Sequence, residues 1–93
     1  MKQTVTIVFC EGCRWALRSG WYAQELFSTF HGQLAGVHLQ PGEKGQFQVF
    51  LGEQLIWCRK RDGGFPEAAD LKRGIRDAGA TNQSLGHCEL PDK

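Results

Sequence analysis

Apolar and polar side chains alternate over residues 4–9, in a segment made mostly of β-branched and aromatic residues. Such alternation is typical of a strand with one buried face. Three later segments have a similar composition: 34–39, 46–51 and 54–59. Only Gly52 and Glu53 separate the last two, which suits a tight hairpin. The pattern therefore predicts four strands.

Two segments have the periodicity of helices. Over 14–30, small and apolar residues recur at steps of four and three, which predicts one buried stripe. The stripe comprises Ala16, Gly20, Ala23, Phe27 and Phe30, widened by Leu17 and Leu26. A second helix is predicted from Pro66, in its first turn, to about Ala78, with Ala68, Leu71, Ile75 and Ala78 facing inward. The order β-α-β-β-β-α predicts an α/β domain with a four-stranded sheet covered by two helices.

The length of 93 residues allows one domain with a modest core. We assign it to 1–80 and expect 81–93, which is polar and without pattern, to form a flexible tail. The formal net charge of +1 excludes the strong field expected of a protein that binds nucleic acid or an anionic membrane. No segment approaches the roughly 18 apolar residues of a membrane span. The first strand begins directly after Met1 and Lys2, so we expect no signal peptide and a cytoplasmic protein.

Cys10-Glu11-Gly12-Cys13 lies between the first predicted strand and the first predicted helix. At that junction the positive end of the helix dipole would favour thiolate over thiol. Two thiols at this spacing can close a small disulfide ring and so cycle between dithiol and disulfide. Gly12 keeps the loop compact and leaves room for a partner, whereas the carboxylate of Glu11 opposes thiolate formation. The motif predicts reversible thiol redox chemistry.

The remaining cysteines and the histidines give weaker signals. Cys58, in the fourth predicted strand, is interpreted as a small buried hydrophobic residue, and Cys88 as an exposed thiol of the tail with no catalytic role. A metal site is an alternative, because Cys-x-x-Cys after a first strand also describes metal-carrying domains. Those domains have the order β-α-β-β-α-β, and the further ligands here would be His87 and Cys88, which as neighbours cannot easily both turn inward. His31 and His38 share no ligand spacing with them.

Several motifs occur together at a specific spacing: Cys10-x-x-Cys13, Asp62-Gly63-Gly64-Phe65-Pro66 and Leu71-Lys72-x-x-Ile75-Arg76-Asp77, with Arg14-Trp15-Ala16-Leu17-Arg18 and Ala23-Gln24-Glu25-Leu26 between them. Together they resemble the selenoprotein W-like (Rdx) family, in particular its bacterial, all-cysteine members. The resemblance covers the chain from Thr4 to about His87. It implies a thioredoxin-like fold and a thiol oxidoreductase role linked to glutathione, which would be a co-substrate rather than a bound cofactor.

The resemblance also bears on which sulfur reacts first. In the family's selenocysteine-containing members, selenium occupies the second position of the motif, which is Cys13 here. That implies attack at Cys13 and resolution of the mixed disulfide by Cys10. The thioredoxin pattern favours Cys10 as the attacking thiol, so both assignments stay open at this point.

Other residues are candidates for binding a partner. Trp15, Trp21 and Tyr22 lie off the predicted stripe and could form an apolar docking platform. Gly64-Phe65-Pro66 is a candidate for shaping a groove beside the dithiol. The predicted function is thiol–disulfide exchange with glutathione or a thiol protein. The alternative is a redox-sensitive protein-binding module without turnover, and a metal carrier is third.

Overall fold

The computed structural model describes residues 2–79. Its elements are β1 (Gln3–Cys10), α1 (Ala16–Thr29), β2 (Leu34–Gly42), β3 (Phe47–Leu51), β4 (Gln54–Cys58), α2 (Arg59–Asp62) and α3 (Ala68–Asp77). The strands form one sheet in the order β2-β1-β3-β4. β1 is parallel to β2 and antiparallel to β3, and β3 is antiparallel to β4. The predicted α/β fold with a four-stranded sheet is confirmed, and the short helix α2 is an addition that the sequence pattern did not predict.

The core lies between one face of the sheet and the two longer helices. Alternate residues of β1, Val5, Ile7 and Phe9, are buried, as the alternation predicted. They form one cluster with Leu26 of α1 and Leu71 of α3. Both helices therefore cover the same face; on the opposite face of β1, Thr4 is exposed and Val8 is buried.

The buried stripe of α1 differs from the predicted one. Its buried residues are Ser19, Tyr22, Ala23, Leu26 and Thr29, followed by Phe30 at the C-cap. Ala16 and Phe27 are exposed, and Leu17 is 89% exposed. The helix is rotated because Tyr22 is the larger group to bury, and its hydroxyl donates a buried hydrogen bond to the Pro66 carbonyl at 2.6 Å.

The second predicted helix begins later than expected. Pro66 lies one residue before the N-cap, Glu67, and not in the first turn. Asp70 accepts a hydrogen bond from the Glu67 backbone N–H at 3.1 Å, completing a capping box. The inward face is confirmed, with Leu71 and Ile75 buried.

β2 continues further than expected. The predicted strand ended at Leu39, but Pro41 and Gly42 remain in β2 and pair with Phe9 and Cys10 of β1. Proline is tolerated there because β2 is an edge strand, with a neighbouring strand on one side only. The extension brings Gly42 beside the cysteine motif.

The sequence also predicted a flexible C-terminal tail and no segment that spans a membrane. The predicted tail 81–93, with His87 and Cys88, lies outside the described residues. Within 2–79, no helix is long and apolar enough to cross a membrane.

Candidate functional site

The two cysteines of the motif meet at the C-terminal end of β1. Cys10 is the last residue of that strand, and its backbone N–H donates to the Gln46 carbonyl at 2.8 Å. The chain then turns, closed by a 3.0 Å hydrogen bond from the Arg14 N–H to the Glu11 carbonyl. The Cα atoms of Cys10 and Cys13 are 5.3 Å apart and their sulfur atoms lie at disulfide distance. The structure brings together the pair that the motif predicted.

The dithiol does not lie at the helix terminus, however. α1 begins at Ala16, and Trp15 is its N-cap. Between Cys13 and the helix, Arg14 has a left-handed backbone with φ 64°, a conformation that strains a residue with a Cβ. Cys13 therefore lies two residues before the N-cap, and the helix begins two residues later than predicted.

A local hydrogen bond also reaches the motif. The backbone N–H of Cys13 donates to the sulfur of Cys10 at 3.2 Å. In the reduced state a donor in this position would stabilise the Cys10 thiolate, since a hydrogen bond to the charged form favours it. The tight turn therefore supplies a donor that favours the Cys10 thiolate.

The two sulfurs differ in accessibility. Cys10 is 3% exposed, whereas Cys13 is half-buried and opens towards solvent. A groove of about 360 Å³ runs beside them, lined by Cys10, Glu11, Gly12, Cys13, Gly42 and Lys44. A Cβ added at Gly12 would meet nothing within 4 Å, so this side of the loop is open. An incoming thiol can reach Cys13 without rearrangement of the fold.

A larger concavity of about 710 Å³ lies on the sheet face that the helices leave uncovered. Its lining includes the polar side chains of Thr6, Gln40 and Gln48, from β1, β2 and β3, and the apolar side chains of Val8 and Phe50. It shares Gly42 with the smaller groove but contains neither sulfur of the motif. The smaller groove is the better candidate because it contains the reactive atoms.

Trp15 and Phe65, predicted separately, meet beside the dithiol. Their rings make an edge contact with centroids 4.9 Å apart, and Phe65 makes a second edge contact with Phe47 at 4.9 Å. The Arg18 guanidinium lies 4.3 Å from the Phe65 centroid, and that of Arg59 lies 5.1 Å from the Trp15 centroid. Trp15 follows Cys13 by two residues, so this aromatic pair adjoins the redox loop.

The glycine-rich corner is anchored through its carbonyl groups. The indole N–H of Trp57 donates to the Gly64 carbonyl at 2.8 Å, and Tyr22 donates to that of Pro66. The Phe65–Pro66 peptide bond is trans. Neither Gly64, Phe65 nor Pro66 lines the groove itself; their arrangement places the Phe65 ring against Trp15.

The platform of three aromatics is not formed. Tyr22 is 1% exposed and belongs to the core, where burial raises its phenol pKa while the Arg18 side chain partly opposes the shift. Trp21 is half-exposed on the outer side of α1. Only Trp15 is placed beside the dithiol, because the rotation of α1 directs Tyr22 inward.

Cys58 is a half-buried free thiol rather than a core residue. Backbone hydrogen bonding from Arg61 is the main cause of a lowered pKa of this thiol, with Lys60 and Gln48 adding to it and burial opposing it. Its own backbone N–H donates to the Asp62 carboxylate at 2.9 Å. The sequence analysis missed this environment because it depends on the short helix α2.

Other residues of the site were also missed. Gly42 and Lys44 reach the groove because β2 is longer than predicted. The positions of Arg18 and Arg59 over aromatic rings follow from tertiary contacts that the sequence pattern does not indicate. Within 2–79, no group of three or more His, Cys, Asp or Glu side chains could hold a metal ion.

Comparison with known proteins gives a consistent result. The model of the Rdx family matches residues 4–77. The chain is 31% identical over 78 residues to migration and invasion enhancer 1 of Bos taurus; the match covers 80% of this chain and 63% of that protein. The chain thus spans less than two thirds of that relative.

Two crystal structures are similar over most of the chain. A protein from Bordetella parapertussis is 44% identical, with a TM-score of 0.82, covering 84% of this chain and 99% of its own. A selenoprotein W-related protein from Vibrio cholerae is also 44% identical, with a TM-score of 0.81, covering 84% and 98%.

Proposed function

The chain belongs to the Rdx family, and from this membership and the geometry of its site we propose that it is a thiol–disulfide oxidoreductase. The observation that carries the proposal is the Cys10–Cys13 pair at disulfide distance in an open groove. A close pair of cysteines in an open, solvent-reachable position is suited to reversible exchange rather than to structural cross-linking.

Exchange begins at the more accessible sulfur. The thiolate of a reductant attacks the Sγ of Cys13, forming a mixed disulfide and releasing Cys10 as a thiolate. The Cys13 N–H, 3.2 Å from the Cys10 sulfur, stabilises that leaving group. A second reductant thiolate attacks the reductant sulfur of the mixed disulfide. The two reductant molecules are thereby joined in a disulfide, and Cys13 is released as a thiolate. The two protein thiolates then take up two protons from water.

We propose glutathione as the small-molecule thiol and the cytoplasm as the place of action. A tripeptide thiol fits a groove of about 360 Å³, and the cytoplasmic glutathione pool would keep the pair poised between its two states. Glutathione acts as co-substrate here, and the exchange needs no bound cofactor.

The first test is a redox titration in glutathione buffers, read by intact mass after alkylation. We expect Cys10 and Cys13 to be oxidised together, with a midpoint in the glutathione range. In Cys10→Ser the glutathione adduct on Cys13 should persist, because the resolving thiol is missing. The matched Cys13→Ser variant should acquire its adduct at least tenfold more slowly, since the Cys10 sulfur is buried.

Two results would contradict this assignment. If both thiols stay reduced across the titration, the oxidoreductase proposal is wrong. If adducts form equally fast in the two serine variants, Cys13 is not the point of attack.

A protein-binding module without turnover is the second candidate, favoured by the Trp15–Phe65 pair capped by two guanidinium groups beside the loop. Aromatic and arginine side chains are enriched in protein interfaces. Retention of partner binding by Cys13→Ser, together with no thiol exchange by the unmodified protein, would favour this function.

A further inference from the structure

The groove beside the dithiol offers few side-chain groups to a bound molecule. Its described lining consists of Cys10, Glu11, Gly12, Cys13, Gly42 and Lys44. The two glycines present only backbone, and the two cysteines are the reacting groups. The charged groups of this lining are therefore one carboxylate, from Glu11, and one ammonium, from Lys44.

Both of these charges are available to a ligand. Glu11 and Lys44 are exposed, and within residues 2–79 neither forms an ion pair, with the other or with a third group. Glu43 is the sequence neighbour of Lys44, but it lines the larger concavity and not this groove. The groove thus presents one unpaired charge of each sign next to the reacting sulfur atoms.

The two charges come from different backbone segments, which a single residue holds together. Lys44 lies in the turn after β2, where the Glu43 N–H donates to Oε1 of Gln46 at 2.8 Å and the Gln46 N–H donates to the Glu43 carbonyl at 3.0 Å. The Gln46 carbonyl accepts the hydrogen bond from Cys10, the residue before Glu11. The backbone of both charged residues is therefore fixed before a ligand arrives, which lowers the ordering cost of binding.

We propose that Glu11 and Lys44 determine the specificity of the exchange by selecting a small thiol that carries both an ammonium and a carboxylate. This rests on the oxidoreductase function proposed above and names its substrate class and the residues that recognise it. The carboxylate of the thiol faces Lys44 and its ammonium faces Glu11, while its sulfur approaches Cys13 in the same groove. Glutathione has both groups, and a groove of about 360 Å³ suits a molecule of that size.

The chemical step is the exchange already described. The bound thiolate forms a bond to the Cys13 sulfur as the Cys10–Cys13 bond breaks, and Cys10 leaves with the electron pair and takes up a proton from water. Glu11 and Lys44 take no part in the bond changes. They place the attacking sulfur and raise the rate for a thiol whose charges match theirs.

The test measures the initial rate at which the oxidised protein reacts with four small thiols at low ionic strength. Glutathione carries both kinds of charge, 3-mercaptopropionate only a carboxylate, cysteamine only an ammonium, and 2-mercaptoethanol neither. The remaining oxidised protein is counted by mass after acid quenching. Each variant's rate is divided by the rate of the unsubstituted protein with the same thiol, which cancels the reactivity of the thiol. That ratio is then divided by the ratio for 2-mercaptoethanol, which cancels any change in the disulfide itself.

The two substitutions should give crossed patterns. We expect Lys44→Gln to lower the normalised rates of glutathione and 3-mercaptopropionate about threefold, without slowing cysteamine. Glu11→Gln should lower those of glutathione and cysteamine by a similar factor, without slowing 3-mercaptopropionate. Its effect on glutathione is the sharpest test, because glutathione has a net negative charge. Removal of a carboxylate that acts only through the overall field would accelerate glutathione, whereas loss of a contact with its ammonium slows the reaction.

Two control variants remove similar charges outside the groove. Glu43→Gln removes an exposed carboxylate next to Lys44 in sequence, and Lys2→Gln removes an exposed ammonium at the opposite end of β1, roughly 26 Å from Cys10 at about 3.3 Å per residue. Among the described residues neither side chain forms an ion pair. We expect both variants to leave the normalised rates of all four thiols unchanged.

The proposal would be overturned if Glu11→Gln accelerates glutathione or leaves its rate unchanged, or if Lys44→Gln slows neither thiol that carries a carboxylate. Effects of Glu43→Gln equal to those of Glu11→Gln would also overturn it. In each of these cases the oxidoreductase function stays intact, since the unsubstituted protein still exchanges with the thiols. No reaction of the unsubstituted protein with any of them would instead remove the proposed function itself.

Discussion

Backbone N–H groups determine the environment of two sulfur atoms in this protein. The Cys13 N–H points at the sulfur of Cys10, and the N–H groups of Arg61 and Lys60 hydrogen-bond to that of Cys58. In both cases a tight turn directs donors at a sulfur atom, and such donors favour the thiolate. Neither arrangement needs a long helix.

Cys58 should accordingly alkylate at lower pH than an ordinary thiol. In a variant with serine at 10, 13 and 88, we expect the pH midpoint of its reaction with iodoacetamide to lie below that of the same chain unfolded in urea. The lowered folded-state pKa also means that the free energy of unfolding rises with pH between the folded and unfolded pKa values, and that this gain is lost as pH falls. Coincident midpoints in the folded and unfolded chains would contradict the prediction.

At the scale of elements, close packing of α3 on β4 explains a glycine inside a helix. A Cβ built at Gly74 would lie 2.8 Å from the Cγ2 atom of Ile56, whereas one at Gly20 in α1 would meet nothing within 4 Å. Glycine costs about 1 kcal/mol relative to alanine in a helix. The cost is offset at Gly74 because the helix approaches the sheet closely.

The two glycines therefore provide a matched pair of substitutions. We expect Gly20→Ala to raise the free energy of unfolding by about 0.5–1 kcal/mol through helix propensity. Gly74→Ala should lower it by about 1 kcal/mol, because steric overlap with Ile56 exceeds the propensity gain. Urea unfolding monitored by circular dichroism measures both; stabilisation by Gly74→Ala would show that Ile56 moves aside freely.

At the scale of the whole molecule, both long helices lie on one face of the sheet, and an ion pair connects them. Lys72 of α3 donates to Glu25 of α1 at 2.9 Å, with the lysine side chain only 10% exposed and the glutamate 37%. Because α1 and α3 both pack on one face of the sheet, the other face has no helix on it within residues 2–79. The cysteine loop follows β1 at the end of the sheet, where the groove is open.

Breaking this ion pair from either side should have unequal effects. Glu25→Gln leaves a nearly buried ammonium without its charged partner, and we expect a loss of about 1 kcal/mol in the free energy of unfolding. Lys72→Met keeps the packed alkyl chain and leaves only a half-exposed carboxylate, so its cost should be under about 0.5 kcal/mol. Equal losses in urea unfolding would contradict the prediction, because they would show that the ammonium left without its partner adds no cost of its own.

Local signals were sufficient for much of this fold. The alternation around Ile7 predicted the face of β1 that is buried, and the spacing of Leu71 and Ile75 predicted the inward side of α3. The spacing of small residues did not predict the buried face of α1. Leu17 was expected inside and is exposed, whereas Tyr22 is buried and donates a hydrogen bond to the Pro66 carbonyl, a contact that depends on the tertiary structure.

The sequence by itself determined the four strands, the two longer helices and their order, the family resemblance and the two cysteines that can react, since these depend on residue types and spacing along the chain. Tertiary structure alone decided that Cys13 is the accessible sulfur, that Lys44 reaches the groove and that Cys58 is a hydrogen-bonded free thiol. Accessibility, local field and hydrogen bonding arise from groups distant in sequence or from turns too short to have a periodicity, and only the folded backbone brings those groups together.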